Sequence, residues 1–293
     1  CPLLYGGHQG EVSRILQGSS RTQKTKRIVT LRKEKLMKKY QSMICLAAAV
    51  CLLGTAAFSV YHIYDHYAQL DEQTEVFDEI AEVVAQAPDE EPVPDDVPVS
   101  EGEDVLAKYK ELYLQNEDMV GWISISGTSI NYPVMQTKDE PNYYLKHNFE
   151  KQYSDLGTPY IQENCDLLTS DNLIIYGHHI SGNRMFGALE DYKSKSFYEE
   201  HKTIQFDTLT EQAEYKIVAV FKTVAYSSSG YRYYDFVDAE NEEEFNAYIE
   251  TCKELALYDT GVTADYGDRL ITLSTCEYSA TNGRLVVVAK KTA

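Results

Sequence analysis

Two runs decide the reading of this chain. They are Ile271-Thr-Leu-Ser-Thr-Cys276 and, after a short polar loop, Arg284-Leu-Val-Val-Val-Ala289. Val, Ile, Leu and Thr dominate both, as a pleated and partly buried surface requires. The loop between them ends in Asn282-Gly283, a strong turn signal. The pattern predicts two strands of one hairpin, with Cys276 and Arg284 at the same end, at the mouth of the loop. A thiol beside a guanidinium at a strand end is a place to look for covalent chemistry.

Upstream, short strand signals recur. Val120 to Ile125 and Ile130 to Val134 flank the turn residues Ser126 to Ser129. Gly157 to Ile161, Asn172 to Tyr176, Thr203 to Asp207 and Ala213 to Tyr226 are further candidates. Val105, Leu106, Tyr109, Leu112 and Tyr113 recur at helical spacing and predict an amphipathic helix at the start of the body. Phe186 to Tyr192 can form a short helix. A longer one is expected before the cysteine strand, capped by Asn241 with Glu244 three residues on. Its apolar stripe is Phe245, Tyr248, Ile249, Cys252 and Leu255. About eight short strands with few helices predict a mainly β fold, a closed or nearly closed barrel.

The net charge of -19 is unevenly spread. Residues 1–40 hold ten Lys/Arg against two Glu, and the remainder holds 17 basic against 44 acidic side chains. An acidic body argues against nucleic acid as a partner, because phosphate binding needs clustered Lys and Arg. Met43 to Ile63 contains no Asp, Glu, Lys or Arg. That matches the roughly 20 residues a helix needs to cross a bilayer, and it exceeds the apolar core of about 7–15 residues in a cleaved signal peptide. Eight Lys/Arg lie between Lys24 and Lys39, and Asp65 lies beyond the other flank. This asymmetry predicts a cytoplasmic N-terminus and an extracytoplasmic body. The expected organisation is a basic cytoplasmic tail (1–42), a transmembrane anchor (43–63), an acidic linker with Pro88, Pro92, Pro94 and Pro98 (64–104), and a folded domain (105–293). Cys1 stands where a Met is usual, which suggests an incomplete or re-started N-terminus.

Cys45 and Cys51 fall in the apolar span, and Cys165, Cys252 and Cys276 lie beyond it. An odd number of thiols outside the membrane is no disulfide framework and leaves at least one free. A cysteine nucleophile needs an acid–base partner and a donor for the oxyanion. His178 and His179 follow Gly177 at the end of a predicted strand, and Arg284 opens another. Adjacent residues of an extended chain point to opposite faces, so only one of the two histidines can face Cys276. The bland alternative is a buried Cys, a surface His and an Arg closing a loop. Ser274 and Ser279 lack a Gly-x-Ser-x-Gly elbow, which ranks serine hydrolase chemistry low. Nucleotide-binding and zinc-protease patterns do not occur.

Thr272-Leu-Ser-Thr-Cys276 with Arg284 downstream and Tyr176-Gly-His178 upstream resembles the sortases, the membrane-tethered cysteine transpeptidases of Gram-positive bacteria. Val120-Gly-Trp-Ile123, Gly127 to Val134, Tyr143-Tyr-Leu145, Tyr176 to His179 with Met185-Phe186, and the helix before the cysteine strand resemble class B. The resemblance runs from about Val105 to Lys291. It implies an eight-stranded sortase barrel with an N-terminal helix. It implies Cys276 as nucleophile, His178 rather than His179 as the catalytic imidazole, and Arg284 as the oxyanion donor. It also implies a second donor in the backbone N–H of Glu277, with Ser274 and Glu277 in contact with substrate. The implied reaction cleaves a C-terminal sorting signal of a secreted protein after Thr through a thioester. The amine of a lipid-linked peptidoglycan precursor then takes the acyl group, with no metal or organic cofactor. Three alternatives remain at this stage. They are a pilin-polymerising sortase, a plain thiol protease, and a non-catalytic membrane-tethered binding module of the same fold.

Overall fold

In a computed structural model of the chain, residues 9–87 and 106–292 are described. Helix α1 covers Gln9–Gln86. The chain forms two compact units, the first through Ala68 and the second from Gln69 onward. In the first unit the apolar side chains of residues 43–63, such as Leu46, Leu52, Leu53, Phe58 and Ile63, are exposed along the helix. This stretch is long and apolar enough to cross a membrane. The alternative of a helix buried in a soluble core does not fit, because none of it is covered by protein.

The second unit is built around a closed barrel. Its elements are α2 (Ala107–Gln115), β1 (Met119–Ser124), β2 (Asn131–Met135), β3 (Tyr160–Ile161), β4 (Asn172–Tyr176), β5 (His179–Ile180), β6 (Arg184–Met185), α3 (Lys195–Glu200), β7 (Thr203–Thr208), β8 (Glu214–Val224), α4 (Glu242–Leu255), β9 (Leu270–Cys276) and β10 (Gly283–Lys291). The barrel order is β1-β2-β3-β4-β9-β10-β8-β7, and β7 closes on β1. Closure leaves these strands no open edge. Strands β5 and β6 form a separate hairpin. Most pairs are antiparallel, but β2 runs parallel to β3 and β4 parallel to β9. The run Leu285 to Ala289 is wholly buried, which explains why β10 reads as an unbroken apolar stretch. The expected eight-stranded barrel is the observed one.

The predicted cap of α4 forms. The Glu244 N–H donates to Asn241 Oδ1 at 3.1 Å. The Glu244 carboxylate reaches back to the Glu240 N–H at 2.8 Å, one residue earlier than a standard capping box. Phe245, Tyr248, Ile249 and Cys252 are buried, while Leu255 at the helix end is exposed.

One expectation needs correction. Residues 64–104 are expected as an extended acidic spacer, with a short stalk helix over residues 70–87 as the less favoured alternative from the spacing of Leu70, Val76, Phe77, Ile80, Val83 and Val84. The stretch holding its four prolines lies outside the described residues, as does the expected domain start at 105. The stretch up to Gln86 is helical, and from Gln69 it belongs to the folded body. Leu70, Phe77 and Ile80 are buried there. The Phe77 ring meets Tyr132 edge-on with centroids 5.5 Å apart. Ser154 Oγ donates to Gln73 Oε1 at 2.7 Å, and Asp71 pairs with Arg184. Spacings of seven and three residues place the apolar side chains on one helical face, while the acidic ones take the other. The helical spacing is visible in the sequence, but the acidic, proline-rich composition of the whole stretch outweighed it in favour of a spacer.

Phe77→Ala is expected to destabilise the body by about 3 kcal/mol, as truncating a buried aromatic does. Urea unfolding followed by tryptophan fluorescence measures it. An unchanged midpoint would mean that this helix contributes nothing to the body.

Candidate active site

Strand register brings the three candidate residues together. Parallel strands β4 and β9 pair Tyr176 with Ser274, and the Gly177 N–H continues the ladder to the Ser274 carbonyl at 3.1 Å. His178 and Cys276 each lie two residues beyond that pair. They therefore leave neighbouring strands, about 4.8 Å apart, at the same level. On the other side of β9, Cys276 pairs with Arg284 of β10. The Glu277 N–H donates to the Gly283 carbonyl at 2.9 Å, so the next pair inward, 276 with 284, is a non-hydrogen-bonded one. In such pairs the side chains emerge on the same face and lie closest. His178, Cys276 and Arg284 all line one groove of about 620 Å³.

Two glycines make this geometry accessible. A Cβ on Gly177 would lie 2.5 Å from the Phe186 ring, so only glycine lets the chain pass into His178. A Cβ on Gly283 would lie 2.3 Å from the Glu277 carbonyl oxygen, which fixes glycine in the turn before Arg284.

His178 Nε2 lies 2.7 Å from the Leu145 carbonyl oxygen. A carbonyl only accepts, so this nitrogen carries a proton, and Nδ1 remains for proton exchange. Burial lowers the His178 pKa below its ordinary value, against the smaller opposing effect of the Leu145 bond. The imidazole is thus held in its neutral form near pH 7. Arg284 Nη1 donates to its neighbour's carbonyl, that of Gly283, at 2.9 Å. Its charge also acts on the Tyr160 and Tyr233 phenols. Cys276 is half-buried, whereas Cys165 and Cys252 are buried. Burial pushes the Cys165 thiol up to about 11 and the Cys252 thiol up to about 12, so both stay inert.

The two expected substrate-contacting residues are placed differently. Ser274 lines the groove, but its hydroxyl is buried and bonded to Tyr233 OH at 2.6 Å. The Glu277 side chain is buried too, and it is a latch. Its Oε1 meets Lys193 Nζ at 2.5 Å and Lys222 Nζ at 3.2 Å. Its Oε2 accepts from the Ser279 N–H at 3.0 Å and from Ser279 Oγ at 2.5 Å. Burial alone would raise its pKa, but hydrogen bonds from Lys193 and Ser279 outweigh that and hold it at about 2. The Glu277 N–H, expected as an oxyanion donor, is engaged by Gly283. The resemblance to the sortases implies Glu277 as a substrate contact. Here two lysines distant in sequence draw it into the fold.

A family model described as the sortase domain matches residues 123–292. Sortase B of Staphylococcus aureus is 38% identical over 191 residues, covering 64% of this chain and 76% of that protein. Sortase B of Listeria monocytogenes is 33% identical over 194 residues, covering 64% and 75%. A solved Staphylococcus aureus sortase B–substrate complex superposes with a TM-score of 0.64 at 30% identity, covering 77% of this chain and 98% of that one. The chain belongs to the sortase family. Its relatives are of class B, and the eight-stranded barrel described above is the sortase fold.

Several residues shape this sortase site in ways that the sequence did not assign to them. The Leu145 carbonyl comes from a single 3₁₀ turn, Tyr143–Leu145. Tyr160, Tyr176 and Tyr233 wall the groove from three separate segments. His179 turns away from the groove side of His178, and its Nδ1 lies 3.0 Å from the Cys276 carbonyl oxygen.

Two outcomes follow from these shifts. In an NMR titration His178 is expected to titrate below the ordinary histidine value of about 6.5. A value at or above it would contradict the burial argument. The Glu277 latch has the depressed-carboxylate sign. Its stabilisation is complete above the unfolded value of 4.5 and is lost as pH falls from there toward about 2. Glu277→Gln should therefore flatten the pH dependence of unfolding free energy in that window. An unaltered slope would remove the latch.

Proposed function

We propose that this chain is a membrane-anchored, sortase B-like cysteine transpeptidase that attaches secreted proteins to peptidoglycan. The convergence of Cys276, His178 and Arg284 on one groove carries this reading. The apolar stretch of α1 supports a membrane anchor, and the lysines and arginines before it support a cytoplasmic N-terminus with the barrel outside.

In this mechanism Cys276 is the nucleophile. His178, neutral before reaction, accepts the thiol proton through Nδ1. The thiolate attacks the carbonyl of a Thr in a C-terminal sorting signal. A C–S bond forms, and the carbonyl electrons move onto oxygen. Arg284 stabilises that oxyanion with guanidinium N–H groups beyond the one given to Gly283. As the tetrahedral intermediate collapses, the C–N bond breaks and His178 returns its proton to the leaving amine. A thioester remains on Cys276. The amine of a lipid-linked peptidoglycan precursor then attacks it, gives up a proton to His178 and releases the thiol. A reaction split this way has two smaller barriers in place of one large one. Enzyme, substrate and acceptor all share the membrane surface.

Incubated with peptides of the Asn-Pro-x-Thr type, the protein should show a mass increase equal to the acyl fragment, confined to Cys276. Cys276→Ala should show none, and full turnover by that variant sinks the mechanism. Arg284→Ala should slow acylation on the order of 10²–10³-fold, the cost of losing one oxyanion donor. Adding triglycine as an acceptor amine should convert the released acid into an amide. A product mixture indifferent to the amine would identify a thiol protease instead.

A further inference from the structure

His179 sits directly after the groove imidazole and makes a different set of contacts. Its Nδ1 lies 3.0 Å from the Cys276 carbonyl oxygen, so that nitrogen must donate. Glu190 Oε1 stands 3.5 Å from the same nitrogen. A carboxylate there disfavours the tautomer that would place a lone pair on Nδ1. The other Glu190 oxygen is held by Lys193 Nζ at 2.5 Å, and the same ammonium reaches Glu277. The His179 ring meets Tyr278 edge-on at 5.0 Å, and Tyr278 OH donates to the His179 carbonyl at 3.3 Å. Residues 276, 277 and 278 are thus each tied to the segment from His179 to Lys193.

We propose that His179 is a positioning residue for acyl transfer, clamping the backbone carbonyl of the nucleophile and so fixing Cys276 relative to His178. The inference rests on the roles given above to Cys276 and His178. Strand β9 holds the nucleophile from its N-terminal side, through the Gly177 N–H on the Ser274 carbonyl. The clamp holds it from its C-terminal side, at the carbonyl group bonded to the Cα that bears the thiol. His178 is fixed independently, by the Leu145 carbonyl on its ring and by the Phe186 N–H on its own carbonyl at 2.9 Å. One dipeptide therefore carries both the acid–base imidazole and the grip on the nucleophile. Their separation then depends little on the exposed tip of the loop. A misplacement of about 1 Å at reacting groups can cost on the order of 10²-fold in rate. The proposed role uses only the His179 Nδ1–H, which is committed to the Cys276 carbonyl, and calls for no proton transfer by this imidazole.

The test compares the full chain in detergent micelles with His179→Ala and His179→Asn. Asparagine can place its Nδ2 near the site of the imidazole Nδ1 and donate the same bond. One readout needs no substrate: hydrogen–deuterium exchange at the Glu277 amide, localised by fragmentation mass spectrometry. The Ala variant should exchange about tenfold faster there, and Asn should restore protection. The second readout is acylation by an Asn-Pro-x-Thr peptide. The Ala variant should lose about 10–100-fold in kcat with KM within about twofold, and Asn should recover most of it. Unchanged exchange in the Ala variant overturns the clamp. Faster exchange with unchanged kcat overturns its role in acyl transfer. A kcat loss that Asn does not recover, accompanied by a lowered melting temperature, reduces His179 to a packing residue and also overturns it. If the unmutated protein acylates on no peptide while exchange behaves as expected, the proposed function fails and the clamp on the Cys276 carbonyl stands.

Discussion

The parallel pairing of β4 with β9 is the constraint on which the site depends. Most of this barrel is antiparallel, and an antiparallel neighbour would place the two strands' C-terminal ends at opposite rims. Because β4 and β9 run the same way, with Tyr176 opposite Ser274, both strands release their next residues at one rim. The imidazole and the thiol are then neighbours by register, before any side-chain interaction is counted. Strand β10 adds the guanidinium by the opposite logic. A hairpin returns directly, so the residue that opens it faces the residue that ended its partner. The site thus joins one parallel and one antiparallel neighbour on the two sides of β9. A one-residue slip in either ladder would send a reacting side chain to the wrong face.

Register alone leaves the loop from Glu277 to Gly283 free to move, and Cys276 sits at its root. The chain restrains that loop with charge rather than apolar packing. A buried carboxylate is costly unless it is paired. Glu277 has two ammonium partners and two donors from Ser279, and its depressed pKa reports the balance in favour of the ionised form. Lys193 comes from the 3₁₀ helix after β6, and Lys222 comes from β8. The loop is therefore tied to both sides of the barrel rim. This arrangement gives Cys276 a fixed root and leaves the groove above it open.

What the sequence disclosed and what it hid divide along a physical line. Strand periodicity, the Asn282-Gly283 turn, the Asn241 cap and the apolar run before Tyr64 are local patterns, and local forces produce the structures they announce. That Cys276, Arg284 and one of the two histidines would share a rim was legible because each stands at a strand end, where a barrel presents side chains to a rim; the choice of His178 over His179 came from the resemblance to the sortases. Contacts between distant segments left no such trace. Nothing near Glu277 announces Lys193 or Lys222, and nothing in Tyr143-Tyr-Leu145 announces that its last carbonyl will hold an imidazole. The helix through Phe77 was visible as spacing and was outweighed by composition. Its apolar face is narrow, and the acidic residues around it dominate any average taken over the stretch.

The groove walls carry the argument one step further, toward recognition. The Tyr160, Tyr176 and Tyr233 hydroxyls are each bonded to a neighbour, to Asn142 at 2.8 Å, to Gln162 at 2.5 Å and to Ser274 at 2.6 Å. Burial pushes all three phenols above their ordinary value, that of Tyr233 up to about 12. They stay neutral at any physiological pH. This part of the wall is therefore a fixed aromatic surface with its polar tips already occupied. Such a surface selects by shape and apolar contact, and at low entropic cost because its rings are held before anything binds. Arg284 stands at the rim beside these rings. A guanidinium next to neutral, partly dry walls acts more strongly on a developing negative charge than it would in water. With the Glu277 N–H engaged by Gly283 in this structure, the proposed mechanism leaves that guanidinium as the donor for an oxyanion on the substrate of Cys276. Any contribution from the Glu277 amide first requires its bond to Gly283 to open, and the grip on the neighbouring Cys276 carbonyl governs how far that peptide can turn.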